Sequence, residues 1–214
     1  MDRKSKGTIG LVVLAALAAA GPAEAAAFIN GSFEMGADPG SSTQLNFGST
    51  AISGWTVGGN SIDYVGTAWS ARDGARSVDL SGIGAGNLSQ TFDTQIGRRY
   101  TATFFLAGNP AAGPLTKSIR TTATGNTAQI DRFNASGSTV SNMGWRQIEY
   151  HFTATTASTT LRFASLNEGS AGPAIDNVSI ASVPEASMWA TMMLGFGCLG
   201  AALRTRPRKV LAVR

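Results

Sequence analysis

Tyr100-Thr101-Ala102-Thr103-Phe104-Phe105-Leu106 is the stretch on which the fold class turns. Successive side chains of an extended chain point to opposite faces. Tyr100, Ala102, Phe104 and Leu106 therefore share one side. The run 146–153 repeats the pattern, with Ile148, Tyr150 and Phe152 on one side and Glu149 and His151 on the other. One apolar and one polar side marks an antiparallel strand with a buried and a solvated face. Outward from these two runs, short β-prone segments recur at 52–57, 61–66, 77–80, 87–93, 118–124, 128–133, 159–165 and 174–180. Gly, Asn, Ser and Thr punctuate them. About ten strands at this spacing predict an all-β domain, a sandwich or jelly roll. The 214 residues include 26 glycines and only 14% charged residues, which disfavours both a helical bundle and a charge-rich disordered chain.

The two ends read differently from this middle. Met1-Asp2-Arg3-Lys4-Ser5-Lys6 is followed by an apolar run to Ala20 and then by Ala23-Glu24-Ala25. A basic start, a short apolar stretch and a small-residue exit are the parts of a secretory signal peptide. Residues 1–25 are expected to be removed on export. At the other end, Val183-Pro184-Glu185 precedes an apolar stretch over 188–203 and the basic cluster Arg204-Thr205-Arg206-Pro207-Arg208-Lys209. As a helix that stretch rises about 24 Å, somewhat short of a ~30 Å hydrocarbon core. A transmembrane helix with its basic tail kept inside is the expectation.

Charge follows the same division. The whole chain carries a formal net charge of +4, but residues 26–182 hold nine basic and ten acidic side chains. The basicity lies in the ends, so the middle has no clustered basic surface for phosphate, and nucleic acid is not an expected partner. The single cysteine is Cys198, inside the C-terminal apolar stretch. An exported domain without cysteine has neither disulfides nor a thiolate metal site.

Two resemblances come from ordered motifs. Pro184-Glu185, Trp189, a Gly-containing apolar stretch and the terminal Arg cluster resemble the PEP-CTERM sorting signal of Gram-negative bacteria, with Ala186 in place of the second proline. That resemblance implies processing by an exosortase-type protease and a link to exopolysaccharide. The middle presents Asn30-Gly31-Ser32-Phe33-Glu34, Ile52-Ser53-Gly54-Trp55, Ile62-Asp63-Tyr64-Val65, Ser77-Val78-Asp79-Leu80-Ser81-Gly82, Ala107-Gly108-Asn109-Pro110 and Ala174-Ile175-Asp176-Asn177-Val178. In this order it resembles the DUF642 family, in its bacterial choice-of-anchor C branch. The resemblance implies a galactose-binding-like jelly-roll sandwich associated with polysaccharide. It divides the chain into a signal peptide (1–25), a β-sandwich (26–182) and a sorting signal (183–214).

The candidate chemistry is sparse. His151 is the one histidine and stands on an alternating strand, and no Gly-x-Ser-x-Gly turn precedes a helix. Many acidic pairs are conceivable for glycoside hydrolysis, and sequence selects none of them. The chain is therefore expected not to be an enzyme. Glu34 and Asp176, near the first and last strands, are candidate ligands of a structural Ca²⁺, a hard cation that takes oxygen donors. Their alternative role is to cap turns or accept backbone amides. For carbohydrate, Trp69, Arg72 and Asp63 are the candidates: an aromatic ring beside charged groups in a loop. The loop at Gly108-Asn109-Pro110 is a second possibility. The expected function is non-catalytic carbohydrate binding at the cell surface or beyond it. A structural matrix or adhesion protein is the alternative, and a hydrolase is third.

Overall fold

The computed structural model describes residues 27–183. The signal peptide, sorting motif, 188–203 stretch and basic tail lie outside the described residues. Eleven strands form: β1 (Ser42–Asn46), β2 (Thr56–Gly59), β3 (Ser61–Val65), β4 (Ser77–Asp79), β5 (Gly86–Asp93), β6 (Arg99–Gly108), β7 (Thr116–Ala123), β8 (Gln129–Asn134), β9 (Arg146–Thr153), β10 (Ser158–Ser165) and β11 (Pro173–Ser182). They make a six-stranded sheet in the order β1-β3-β4-β11-β6-β9 and a five-stranded sheet in the order β2-β5-β10-β7-β8. Every strand pairing among the described residues is antiparallel. The domain is thus an all-β sandwich, as the alternation at Tyr100–Leu106 indicates. Among the described residues no helix is long and apolar enough to cross a membrane.

The alternating side chains meet between the sheets. Phe104 from β6 packs edge-on against Phe163 from β10 at 4.8 Å between ring centroids. Trp55 is the hub, contacting Phe28, Phe33 and Phe163 at 5.6, 5.3 and 6.2 Å. Its indole N–H donates to the Asn30 carbonyl at 2.9 Å, so a fully buried ring keeps a partner for its one polar atom.

The first described segment is not a strand of either sheet, yet it is tightly bound. Asn30 and Phe33 both have φ near +60°. The Asn30 side chain donates to the Met35 and Ser53 carbonyls and accepts from the Met35 amide. A Cβ on Gly31 would lie 1.7 Å from the Val178 carbonyl oxygen, so only glycine fits there. The Val178 amide donates back to the Gly31 carbonyl at 2.8 Å, beside the point where β11 slips register between Asp176 and Ser179. Asn177, at φ 48°, occupies that bulge.

Two strand boundaries differ from the sequence expectation. β1 has no counterpart in it, because Ser-Thr-Gln-Leu-Asn is an edge strand that turns little apolar surface inward. The run 52–57 holds only the start of β2; Ile52 and Trp55 are core residues of the preceding turn.

Candidate ligand-binding site

Register lines up the outward residues of the six-stranded sheet. Gln44 of β1 pairs with Asp63 of β3, Asp63 with Asp79 of β4, and Asp79 with Ala174 of β11. Since Tyr64 and Val78 point into the core, Asp63 and Asp79 point away from it. Residues 66–76, which join β3 to β4, fold over this outer face and are held there by three sets of bonds. The Ser70 amide donates to the Val140 carbonyl at 2.8 Å, and the Trp145 indole N–H donates to the Ser70 carbonyl at 3.0 Å. The Asp176 carboxylate accepts the Arg72 and Asp73 amides at 2.7 and 3.0 Å. The Glu34 carboxylate accepts the Ala75 and Arg76 amides, both at 2.8 Å.

Glu34 and Asp176 therefore act on the same segment, as acceptors of backbone amides. Among the described residues no group of three or more His, Cys, Asp or Glu side chains is placed to hold a metal ion. The amide clamp is the role that the geometry supports. Asp176 is fully buried, and loss of hydration raises its pKa to about 7 against the pull of its amide donors.

Under the 66–76 segment lies a pocket of about 190 Å³, walled in part by Ser42, Asp63, Ala68, Trp69, Asn109 and Val140. Trp69 and Asp63 are thus brought together, and the Gly108-Asn109-Pro110 loop joins them. Arg72 is not among the walls. Its guanidinium sits 4.3 Å above the Phe105 ring centroid, an outward cation–π contact on the same sheet face. Trp69 is a wall rather than an open platform: it is 9% exposed, and its indole N–H donates to Ser77 Oγ at 2.8 Å.

The polar atoms of the pocket are unevenly satisfied. Asn109 Nδ2 donates to Asp79 Oδ2 at 2.8 Å, and Asn109 Oδ1 accepts the Ala111 amide at 2.9 Å. Asp79 also accepts the Ser81 and Gly172 amides at 2.9 and 3.1 Å. Burial raises its pKa to about 7, opposed by these donors and reinforced by the nearby Asp63 charge. Asp63, by contrast, is half-buried and has no hydrogen-bond donor among the described residues. Desolvation raises its pKa from the ordinary carboxylate value. A neighbouring buried cation does not serve it: Lys117 Nζ donates to the Ala112 and Ala171 carbonyls at 2.8 and 2.6 Å. Sequence singles out neither Asp79 nor Lys117. The signal for Asp79 is its Ser-Gly-flanked position; Lys117 reads as an ordinary solvated lysine.

A wider depression of about 460 Å³ lies toward the other end of the sheet, with Arg99, Tyr100, Asn126 and His151 among its walls. Part of its polar lining is already bonded within the protein. Asn126 bonds the Thr124 and Thr153 carbonyls and the Thr153 amide, and His151 Nδ1 lies 3.0 Å from Thr101 Oγ1. His151 is largely exposed and faces Glu149 at 3.8 Å.

Several known proteins are similar to this chain. Halomucin of Haloquadratum walsbyi is 34% identical over 159 residues, which is 71% of this chain and 2% of halomucin. The chain thus spans a very small part of that curated relative. Among solved structures, a family 35 carbohydrate binding module from Clostridium thermocellum matches with a TM-score of 0.47 and 14% identity, covering 66% of this chain and 99% of the module. TmCBM61, solved in complex with β-1,4-galactotriose, matches with a TM-score of 0.43 and 16% identity, covering 73% of this chain and 97% of the other. Residues 26–181 match the family model described as a protein of unknown function, DUF642, and the chain belongs to that family.

Proposed function

We propose that this domain is a non-catalytic carbohydrate-binding module that works outside the cytoplasm, and that the Asp63–Trp69–Asn109 pocket is its sugar site. The carrying observation is the Asp63 carboxylate, half-buried in a walled pocket without a donor of its own. Its oxygens are not buried unpaired atoms; they remain open acceptors in the pocket, and a sugar hydroxyl supplies a donor. The Trp69 wall adds apolar contact, and the Asp79–Asn109 bond fixes the opposite side. A binding role agrees with the fate of the other ionisable groups. Asp79, Asp176 and Glu34 are engaged by backbone or amide donors, and His151 lies on a different surface. The N-terminal and C-terminal segments support export, membrane retention through 188–203 and processing by an exosortase-type protease. Polysaccharide is the partner.

Retention of the full chain on immobilised polysaccharides tests this reading. Asp63→Asn is expected to lower affinity roughly tenfold or more, the range for losing a hydrogen bond to a charged group. Asp73→Asn, outside the pocket, is expected to leave it unchanged. Failure of every polysaccharide to retain the wild-type chain removes the proposal and favours a matrix or adhesion protein without a discrete site.

A further inference from the structure

We infer that the Asp63 pocket discriminates by ligand charge: it takes neutral sugars, prefers those bearing an amine, and rejects uronic acids. This rests on reading the pocket as a sugar site, and narrows it to a class of glycan.

The argument is a census of charge around one cavity. Asp63 is the one ionisable side chain among its walls. The adjacent strand places a second carboxylate, Asp79, at the paired position. None of the nearby cations lines the cavity. Lys117 is fully buried, donates to the Ala112 and Ala171 carbonyls, and its charge acts on Asp79. Arg72 covers Phe105, and Arg76 donates to the Glu34 and Gly36 carbonyls and to Tyr64 Oη. Two side-chain donors in the walls are already directed elsewhere, Asn109 Nδ2 at Asp79 and the Trp69 indole N–H at Ser77 Oγ.

A ligand carboxylate would therefore meet Asp63 with no positive group among the cavity walls. Two close like charges are mutually destabilising, and desolvation in a walled cavity enlarges the cost. Hydroxyl and ammonium groups give Asp63 the donor it lacks, and the ammonium adds charge complementarity. The cavity, at about 190 Å³, is smaller than the ~300 Å³ at which pockets for drug-sized ligands begin. One ring enters it, so the charge on that single residue decides recognition.

Isothermal titration of the full chain at pH 7 and low salt tests the inference. The probes are galactose, galactosamine and galacturonate, with the matching glucose series. Within the series that binds, the expected order is amine, then neutral sugar, then uronate, the amine at least tenfold tighter than the uronate. Asp63→Asn is expected to shrink that ratio toward one while the neutral sugar loses less. Uronate binding as tight as the neutral sugar to wild type overturns the inference and leaves the sugar site standing. An amine preference that persists undiminished in folded Asp63→Asn also overturns it. No binding by any member of either series overturns the sugar site itself, and the inference with it.

Discussion

Asp79 and Asp176 are fully buried carboxylates on the outer face of one sheet, each with a pKa raised to about 7. Both cases have one cause: burial penalises the charged form more than the amide donors reward it. The consequence for stability has a definite sign. Between about pH 4 and 7 the folded chain holds protons that the unfolded chain has released. Stability from these groups is complete below the unfolded carboxylate pKa and is lost as pH rises through about 7. Calorimetry from pH 4.5 to 8 is expected to show Tm falling by roughly 5 °C or more. A Tm that climbs across this window refutes the assignment. Asp63 shares the direction of shift, but its half-open position weakens the coupling to folding. The family-resembling residues also gain a physical account at this scale. Gly31 is needed because a Cβ there would lie 1.7 Å from the Val178 carbonyl oxygen, Asn30 for a left-handed turn with three side-chain bonds, and Asp79 for pinning Asn109 and Gly172.

Residues 66–76 behave as a strap across the outer sheet face, fastened by Glu34 near its exit and Asp176 near its middle. Freed from either acid, the strap is expected to loosen before the sandwich does. Asp176→Ala and Glu34→Ala should become sensitive to trypsin at Arg72 and Arg76 under conditions where wild type resists. If the amide bonds alone hold the strap, a chelator should leave the wild-type pattern unchanged. Chelator-induced cleavage of wild type would restore calcium to these two acids. How much of this was legible beforehand differs by element. β6, β9 and β10 alternate apolar and polar residues over most of their length, and alternation is visible in any sequence. β1 was not legible, because an exposed polar edge strand has no pattern of its own. Trp69 and Asp63 stand out by residue type and proximity in the chain, and the pocket unites them. Arg72 stands out on the same ground but lies over Phe105, because where a loop side chain turns depends on what the loop crosses. Lys117 was invisible: a fully buried lysine reads the same as a solvated one until two carbonyls from distant loops close on it.

The described domain contains no cysteine, so two sheets and their core hold it together without covalent ties. Thermal unfolding of the full chain is expected to be indifferent to reductant and to give one cooperative transition for the sandwich, as small domains do. A second transition that appears on adding dithiothreitol contradicts this. The free edges are guarded by side chains rather than by further strands. Arg146 Nη2 donates to the Arg132 carbonyl at 2.7 Å, and Gln129 Nε2 to the Glu149 carbonyl at 3.0 Å, tying the edge strands β8 and β9 of opposite sheets. The placement of β11 has a mechanical meaning. It is the last strand, yet it lies inside its sheet, bonded to β6 along most of its length and to β4 at its start. The ligand pocket lies toward the start of β11, and the chain leaves at Val183 from its far end. Under the proposed function, tension between a captured polymer and an anchor beyond Val183 would run along the axis of this strand. Antiparallel bonds stand perpendicular to that axis, so the load falls on them in shear and is shared, where a pull across an edge strand would unzip them one at a time.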